Sequence, residues 1–187
     1  MKSPTQFIVS PIKKKRYNNS KQIGGKDIII STSQEDFKFS NREAEVIEVP
    51  LNYQGEIEKG DTLLVHHNVF KYYYDMKGRQ RSGKSFLKDD YFLIDNEQFF
   101  LYKKNNKWNT HDRYCFIKPI GKEDSVIFKN TKNEPLMGEM YYVNDYLKSK
   151  GLKRGDIVSF APDSEYEFRF DDKVLYRIYD HQITIKL

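Results

Sequence analysis

Glu58-Lys59-Gly60-Asp61-Thr62-Leu63-Leu64-Val65 has a partner later in the same chain, Lys153-Arg154-Gly155-Asp156-Ile157-Val158-Ser159-Phe160, at an offset of 95 residues. Each copy reads as a Gly-Asp turn feeding a short apolar run, the pattern of a tight turn that opens a β-strand. Three more landmarks recur in the same order. Ile8-Val9-Ser10-Pro11-Ile12 matches Phe116-Ile117-Lys118-Pro119-Ile120 at an offset of 108, and Ala44-Glu45-Val46 matches Gly138-Glu139-Met140 at 94. Ile94-Asp95-Asn96-Glu97-Gln98-Phe99 matches Ile178-Tyr179-Asp180-His181-Gln182-Ile183 at 84. Ordered self-similarity of this kind is what a duplicated fold unit leaves behind.

The fall in offset locates two insertions, both in the first copy. It is longer by 14 residues between the first two landmarks and by 11 between the last two. The first insertion lies in residues 17–42 and carries Gly24-Gly25-Lys26-Asp27-Ile28-Ile29-Ile30 among Asn, Ser, Gln and charged residues. Three isoleucines bounded by turn residues read either as a buried strand or as an exposed contact loop. The equivalent connection of the second copy, residues 121–134, is short and polar with only Val126-Ile127-Phe128, which favours the contact loop. The second insertion, residues 72–85, holds Tyr72-Tyr73-Tyr74 and a run of Gly, Arg and Lys that reads as a hairpin tip.

The 187 residues suffice for two small domains, and a hydrophobic content of 38% with 15% aromatics in short runs points to a mainly β chain. The pattern predicts two tandem small β-barrels, residues 1–104 and 112–187, joined by a polar linker over 105–111. In the first, strands are expected at 44–49 and 62–66, with 91–94 and 98–102 as a closing hairpin. In the second they are expected at 139–143, 157–161, 174–179 and 182–186, with a short helix in 142–150. No apolar stretch is long enough for a membrane span and the first residues lack a signal-peptide core, so a cytoplasmic chain is expected. Cys115, the one cysteine, reads as a small buried side chain. His66, His67, His111 and His181 show no zinc spacing, and an adjacent His pair on a strand would point to opposite faces. No Ser/His/Asp or Cys/His set can be placed, so neither enzymatic chemistry nor a cofactor is expected.

The ordered landmarks resemble the GroES-type co-chaperonins, across nearly the whole chain and as two tandem copies. The likeness rests on the apolar strand followed by Lys13-Lys14-Lys15-Arg16, on Gly24-Gly25 ahead of Ile28-Ile29-Ile30, on Ala44-Glu45-Val46, on the Gly60-Asp61 turn and on the apolar segment 92–101. In the family the tripeptide follows the glycines directly, whereas here Lys26 and Asp27 intervene. The resemblance implies GroES-like barrels, a homo-oligomeric ring, and a mobile loop whose Gly24, Gly25, Ile28, Ile29 and Ile30 engage a nucleotide-loaded GroEL-type chaperonin. It also implies that residues 72–85, with Arg79, Arg81 and Lys84, form a roof-like hairpin. The second copy has no such loop, so the resemblance assigns chaperonin binding to the first alone.

Two other readings attach to the hairpin. Gly78-Arg79-Gln80-Arg81-Ser82-Gly83-Lys84-Ser85 matches the spacing of a phosphate-binding loop, and Tyr91-Phe92-Leu93-Ile94-Asp95 resembles a strand ending in a metal-binding Asp. Such a loop needs a following helix, and the five residues 86–90 leave no room for one with its crossover. The whole net charge of +5 lies in residues 1–111. Lys13 to Arg16, Arg79, Arg81 and Lys84 beside the tyrosines therefore suggest, as the alternative function, a barrel that binds single-stranded nucleic acid.

Overall fold

The computed structural model describes residues 1–18, 20–24, 26–29, 39–120, 136–170 and 173–187, with backbone alone for 20–23, 26–29 and 170. The protein is mainly β, and the chain divides into two compact units, Met1–Trp108 and Asn109–Leu187.

In the first unit the strands are β1 (Phe7–Pro11), β2 (Ser20–Ile23), β3 (Lys26–Ile29), β4 (Glu43–Glu48), β5 (Thr62–Val65) and β6 (Tyr72–Tyr74). They continue with β7 (Gln80–Ser82), β8 (Phe86–Lys88), β9 (Tyr91–Ile94), β10 (Phe99–Lys104) and β11 (Lys107–Thr110). The main sheet has the order β11-β10-β5-β4-β1-β9-β8, while β2-β3 and β6-β7 are separate two-stranded hairpins. The second unit has β12 (Tyr114–Pro119), β13 (Met137–Tyr142), α1 (Asp145–Ser149), β14 (Ile157–Phe160), β15 (Tyr166–Phe170), β16 (Lys173–Tyr179) and β17 (Ile183–Lys186). Its sheet order is β15-β16-β12-β13-β14-β17.

The two sheets repeat each other: β9-β1-β4-β5-β10 has the order of β16-β12-β13-β14-β17. Registers repeat at the sequence offsets as well. Pro11 sits opposite Ala44 and Val9 opposite Val46; Pro119 sits opposite Gly138 and Ile117 opposite Met140. Both pairs carry a bulge at the same place, between Ile8 and Val9 and between Phe116 and Ile117. The Gly-Asp turns are alike atom for atom. The Asp61 carboxylate accepts from Glu58 N at 2.8 Å and Asp156 from Lys153 N at 2.9 Å. Gly60 and Gly155 donate to Val46 O and Met140 O at 2.8 and 2.9 Å. With φ of 91° and 92°, the two glycines occupy backbone that a side chain would strain.

Each sheet curls around its own core. Phe7 on β1 and Phe99 on β10 have ring centroids 5.4 Å apart although β4 and β5 lie between them. A flat sheet would hold those strands roughly 14 Å apart with their side chains parallel. Around this pair Val9, Ala44, Val46, Leu63, Val65, Phe70, Phe92 and Ile94 are buried. In the second unit Phe160 on β14 meets Tyr176 on β16 at 6.4 Å across two intervening strands, over Ile117, Met140, Val158 and Ile178.

Closure of these sheets into barrels is not seen among the described residues; β11 and β8 are the edges of one sheet, β15 and β17 of the other. The expected closing hairpins are absent for a definite reason. A 3-10 turn, Asn96–Gln98, separates β9 from β10, and each then pairs with a different neighbour, β9 with β1 and β10 with β5. The equivalent turn Asp180–Gln182 does the same between β16 and β17. Residues 105–111 also differ from a plain linker. Asn105 and Asn106, at φ of 50° and 61°, make a two-residue turn, and Lys107–Thr110 returns as β11 beside β10. The unit boundary falls within this strand.

His66 and His67 lie just past β5, and their rings meet at a tilt of 33° with centroids 4.1 Å apart instead of facing opposite ways. Burial, then the charges of His66, Arg42 and Lys71, push His67 down to about 4, so it is neutral at pH 7. Cys115 is fully buried and its thiol is pushed up to about 12 by that burial, in keeping with an inert core side chain.

Candidate functional site where the two insertions meet

The chain leaves β1 at Pro11 and turns sharply through Lys13 and Lys14, both in the left-handed region at φ of 58° and 54°. Asn41, 5% exposed, holds that turn: its amide donates to Ile12 O at 3.2 Å and to Lys15 O at 2.7 Å, and its carbonyl oxygen accepts from Glu43 N at 3.0 Å. The two ends of the insertion are zipped together. Asn18 N donates to Phe39 O at 2.7 Å, Asn41 N donates to Arg16 O at 3.0 Å, and Tyr17 bridges Ser40. Beyond this root the backbone forms a hairpin in which Ser20 faces Ile29 and Ile23 faces Lys26. Gly24, at the turn with φ of 59°, takes the left-handed conformation that glycine permits. Ile28 and Ile29 belong to β3, while Gly25 and Ile30 lie outside the described residues.

The second insertion is a hairpin with an organised tip. Asp75 Oδ1 accepts from the backbone N–H groups of Lys77 and Arg79, both at 2.9 Å, and Oδ2 accepts from Arg81 Nε at 3.1 Å. The Arg79 and Lys77 amides and the Arg81 side chain hold the Asp75 carboxyl below its usual value. Arg79 is exposed in the turn, Arg81 is on β7, and Lys84 is exposed in the turn before β8.

The roots of the two insertions pack against each other through Arg16 and Tyr17. Arg16 Nε donates to Phe70 O at 3.0 Å, and both Nη1 and Nη2 reach Ser82 Oγ at 3.2 Å. Its guanidinium lies over the rings of Phe92, Tyr72 and Phe86, at 4.9, 5.4 and 5.6 Å from their centroids. Tyr17 meets Tyr72 edge to face at 5.0 Å, and the Tyr72 amide points to Tyr17 Oη at 3.4 Å. A planar fork that donates on its rim and stacks on its face suits this slot; a lysine would fill neither role. Burial lowers the Arg16 pKa and raises those of Tyr17 and Tyr72.

The basic run is thus two things. Lys13, Lys14 and Lys15 are exposed, whereas Arg16 is withdrawn into the junction, a role hidden by its place in the run. The one available sequence signal is the type of residue, an arginine followed by Tyr17. The tyrosines divide likewise, Tyr72 facing the junction while Tyr73 and Tyr74 are 53% and 54% exposed.

Geometry excludes a phosphate-binding loop. Gly78 to Ser85 runs through a turn and β7, and the segment that follows is the strand Phe86–Lys88, so no helix N-terminus faces the glycines. Ser85 is buried and takes a hydrogen bond from Gln98 Nε2 at 3.1 Å, and Asp95 caps the 3-10 turn by accepting from Glu97 N at 3.2 Å. Among the described residues no three His, Cys, Asp or Glu side chains are placed to hold a metal ion, and no helix is long and apolar enough to cross a membrane.

A scan against models of known families finds no match to this chain, and a search of curated proteins finds none either.

Proposed function

We propose that this chain is a co-chaperonin of the GroES type: a ring-forming protein that caps a nucleotide-loaded chaperonin in the cytoplasm and assists folding without chemistry of its own. In this reading the two curled sheets are the family's barrels, and the hairpin of residues 20–29 with Ile30 is the chaperonin-binding segment. The observation that carries it is the placement of that segment. It is inserted between β1 and β4 of the first copy, and its root is fixed on the second insertion by Arg16 and Tyr17.

A fixed root carrying an apolar strand end, with Ile28 and Ile29 opposite Lys21 and Ser20, is suited to weak docking multiplied by number. Burying three isoleucines contributes roughly 4–9 kcal/mol, offset by an ordering cost of about 2–5. One such segment alone binds weakly, and several on one ring act together through effective concentration. Immobilising the root at Arg16 limits the ordering cost to the residues beyond Asn18.

Amide hydrogen exchange tests this. Adding the host chaperonin with nucleotide is expected to slow exchange in residues 20–30 at least tenfold while leaving β13 and β14 unchanged. Unaltered exchange in residues 20–30 at saturating chaperonin would overturn the reading.

A further inference from the structure

We propose that the solvent-facing side of the β6–β7 hairpin is a binding site for single-stranded nucleic acid, an activity separate from chaperonin capping. Residues 71–88 contain six Lys and Arg, namely Lys71, Lys77, Arg79, Arg81, Lys84 and Lys88, against one acid, Asp75. Their excess equals the net charge of the entire protein, +5, so the rest of the chain is neutral as a whole. The next acids, Asp89 and Asp90, lie past β8 in the turn to β9.

Strand register sorts these groups onto one face. Tyr72 pairs with Ser82, Tyr73 with Arg81 and Tyr74 with Gln80. Side chains alternate along a strand, so Tyr72 and Ser82 share the face turned to Arg16, and Tyr73 and Arg81 share the other. That outer face carries a ring 53% exposed, with the half-exposed Arg81 side chain directly across the ladder and exposed Arg79 beyond it. Asp75 is on the same side, but its carboxylate is engaged by Arg81 and by the Lys77 and Arg79 amides. Those bonds set the tip before any ligand arrives.

Charge alone would suit any polyanion; the flat exposed ring beside it selects a ligand with both phosphates and stackable bases. Bases of every kind stack on such a ring, so recognition is expected to be sequence-tolerant. An acidic polypeptide would use the cations and leave Tyr73 idle, which makes Tyr73 the discriminating residue.

The test is fluorescence anisotropy of the full chain with a labelled oligothymidylate. Affinity is expected to fall roughly 7- to 50-fold from about 50 mM to about 200 mM salt, the response of two to four cations' worth of counterion release from a single strand. Tyr73→Ala, an exposed position, is expected to weaken binding about 5- to 150-fold with the salt slope unchanged. A Lys77→Gln, Arg79→Gln double variant is expected to flatten the slope by about 1.4 units. No binding at low salt, binding unaffected by Tyr73→Ala, or equal displacement by polyglutamate would each overturn the proposal. None of these outcomes bears on chaperonin binding by residues 20–30.

Discussion

Replacing Phe92 with alanine is expected to destabilise the first unit by about 3–5 kcal/mol, the usual cost of deleting a fully buried ring. Phe92 is 0% exposed on β9 and packs edge to face against Phe70 at 4.8 Å and Phe86 at 5.7 Å. It is also the ring nearest to the Arg16 guanidinium, at 4.9 Å. The cavity would therefore open beneath the junction of the two insertions, and the Arg16 side chain would lose its main support. Urea unfolding followed by the single tryptophan, Trp108 on β11, reports on this unit. Phe92→Leu should fall between the two, since it refills part of the volume while giving up the π face.

Asp180→Ala is expected to cost the second unit about 2–4 kcal/mol. The Asp180 carboxylate, 1% exposed, takes Arg113 Nη2 at 2.7 Å and Nε at 3.0 Å on Oδ1, and Asn144 Nδ2 at 3.2 Å on Oδ2. Asn144 in turn caps α1 by accepting from Leu147 N at 2.9 Å. One carboxylate thus ties the start of β12, the helix cap and the β16–β17 corner together. The cost stays below that of breaking a fully buried pair because the Arg113 side chain is 55% exposed.

This carboxylate also sets a pH dependence. Burial by itself would raise its pKa, but the hydrogen bonds from Arg113 and Asn144 prevail and hold it below the ordinary 3.8. A group depressed on folding contributes fully above the unfolded value and loses that contribution as pH falls through the lower folded one. Near-UV circular dichroism of the Tyr114–Tyr179 pair, whose rings are 4.9 Å apart, should show wild type losing stability below about pH 4. Asp180→Asn should lack that component, so the two proteins differ most near neutrality and converge in acid.

The duplicated framework is legible because its markers have chemical duties. Gly60 and Gly155 are needed for a positive φ, Asp61 and Asp156 for an acceptor inside the turn, and Pro11 and Pro119 end their strands. Strand pairing is less legible, since an apolar alternating segment looks the same whichever neighbour it has. That is why β9 and β10 read as a hairpin although the Asp95-capped turn sends them to different partners. Strand β11 is polar, and an edge strand needs few apolar residues, so Lys107 to Thr110 reads as a linker. Composition hides the β2–β3 hairpin in the same way, since Lys21, Gln22, Lys26 and Asp27 dilute the apolar signal. In the candidate site, spacing marks both insertions but not their contact, because Arg16 and Ser82 lie 66 residues apart.

Whether residues 28–30 dock on a chaperonin is decided by titrating the full chain into the nucleotide-loaded host chaperonin beside an Ile28→Ser, Ile29→Ser, Ile30→Ser variant. The expected result is saturable binding by the unmodified chain and at least a hundredfold loss in the variant, with its unfolding curve unchanged. Absence of binding by the unmodified chain, or equal binding by both, would rule out chaperonin capping through these isoleucines.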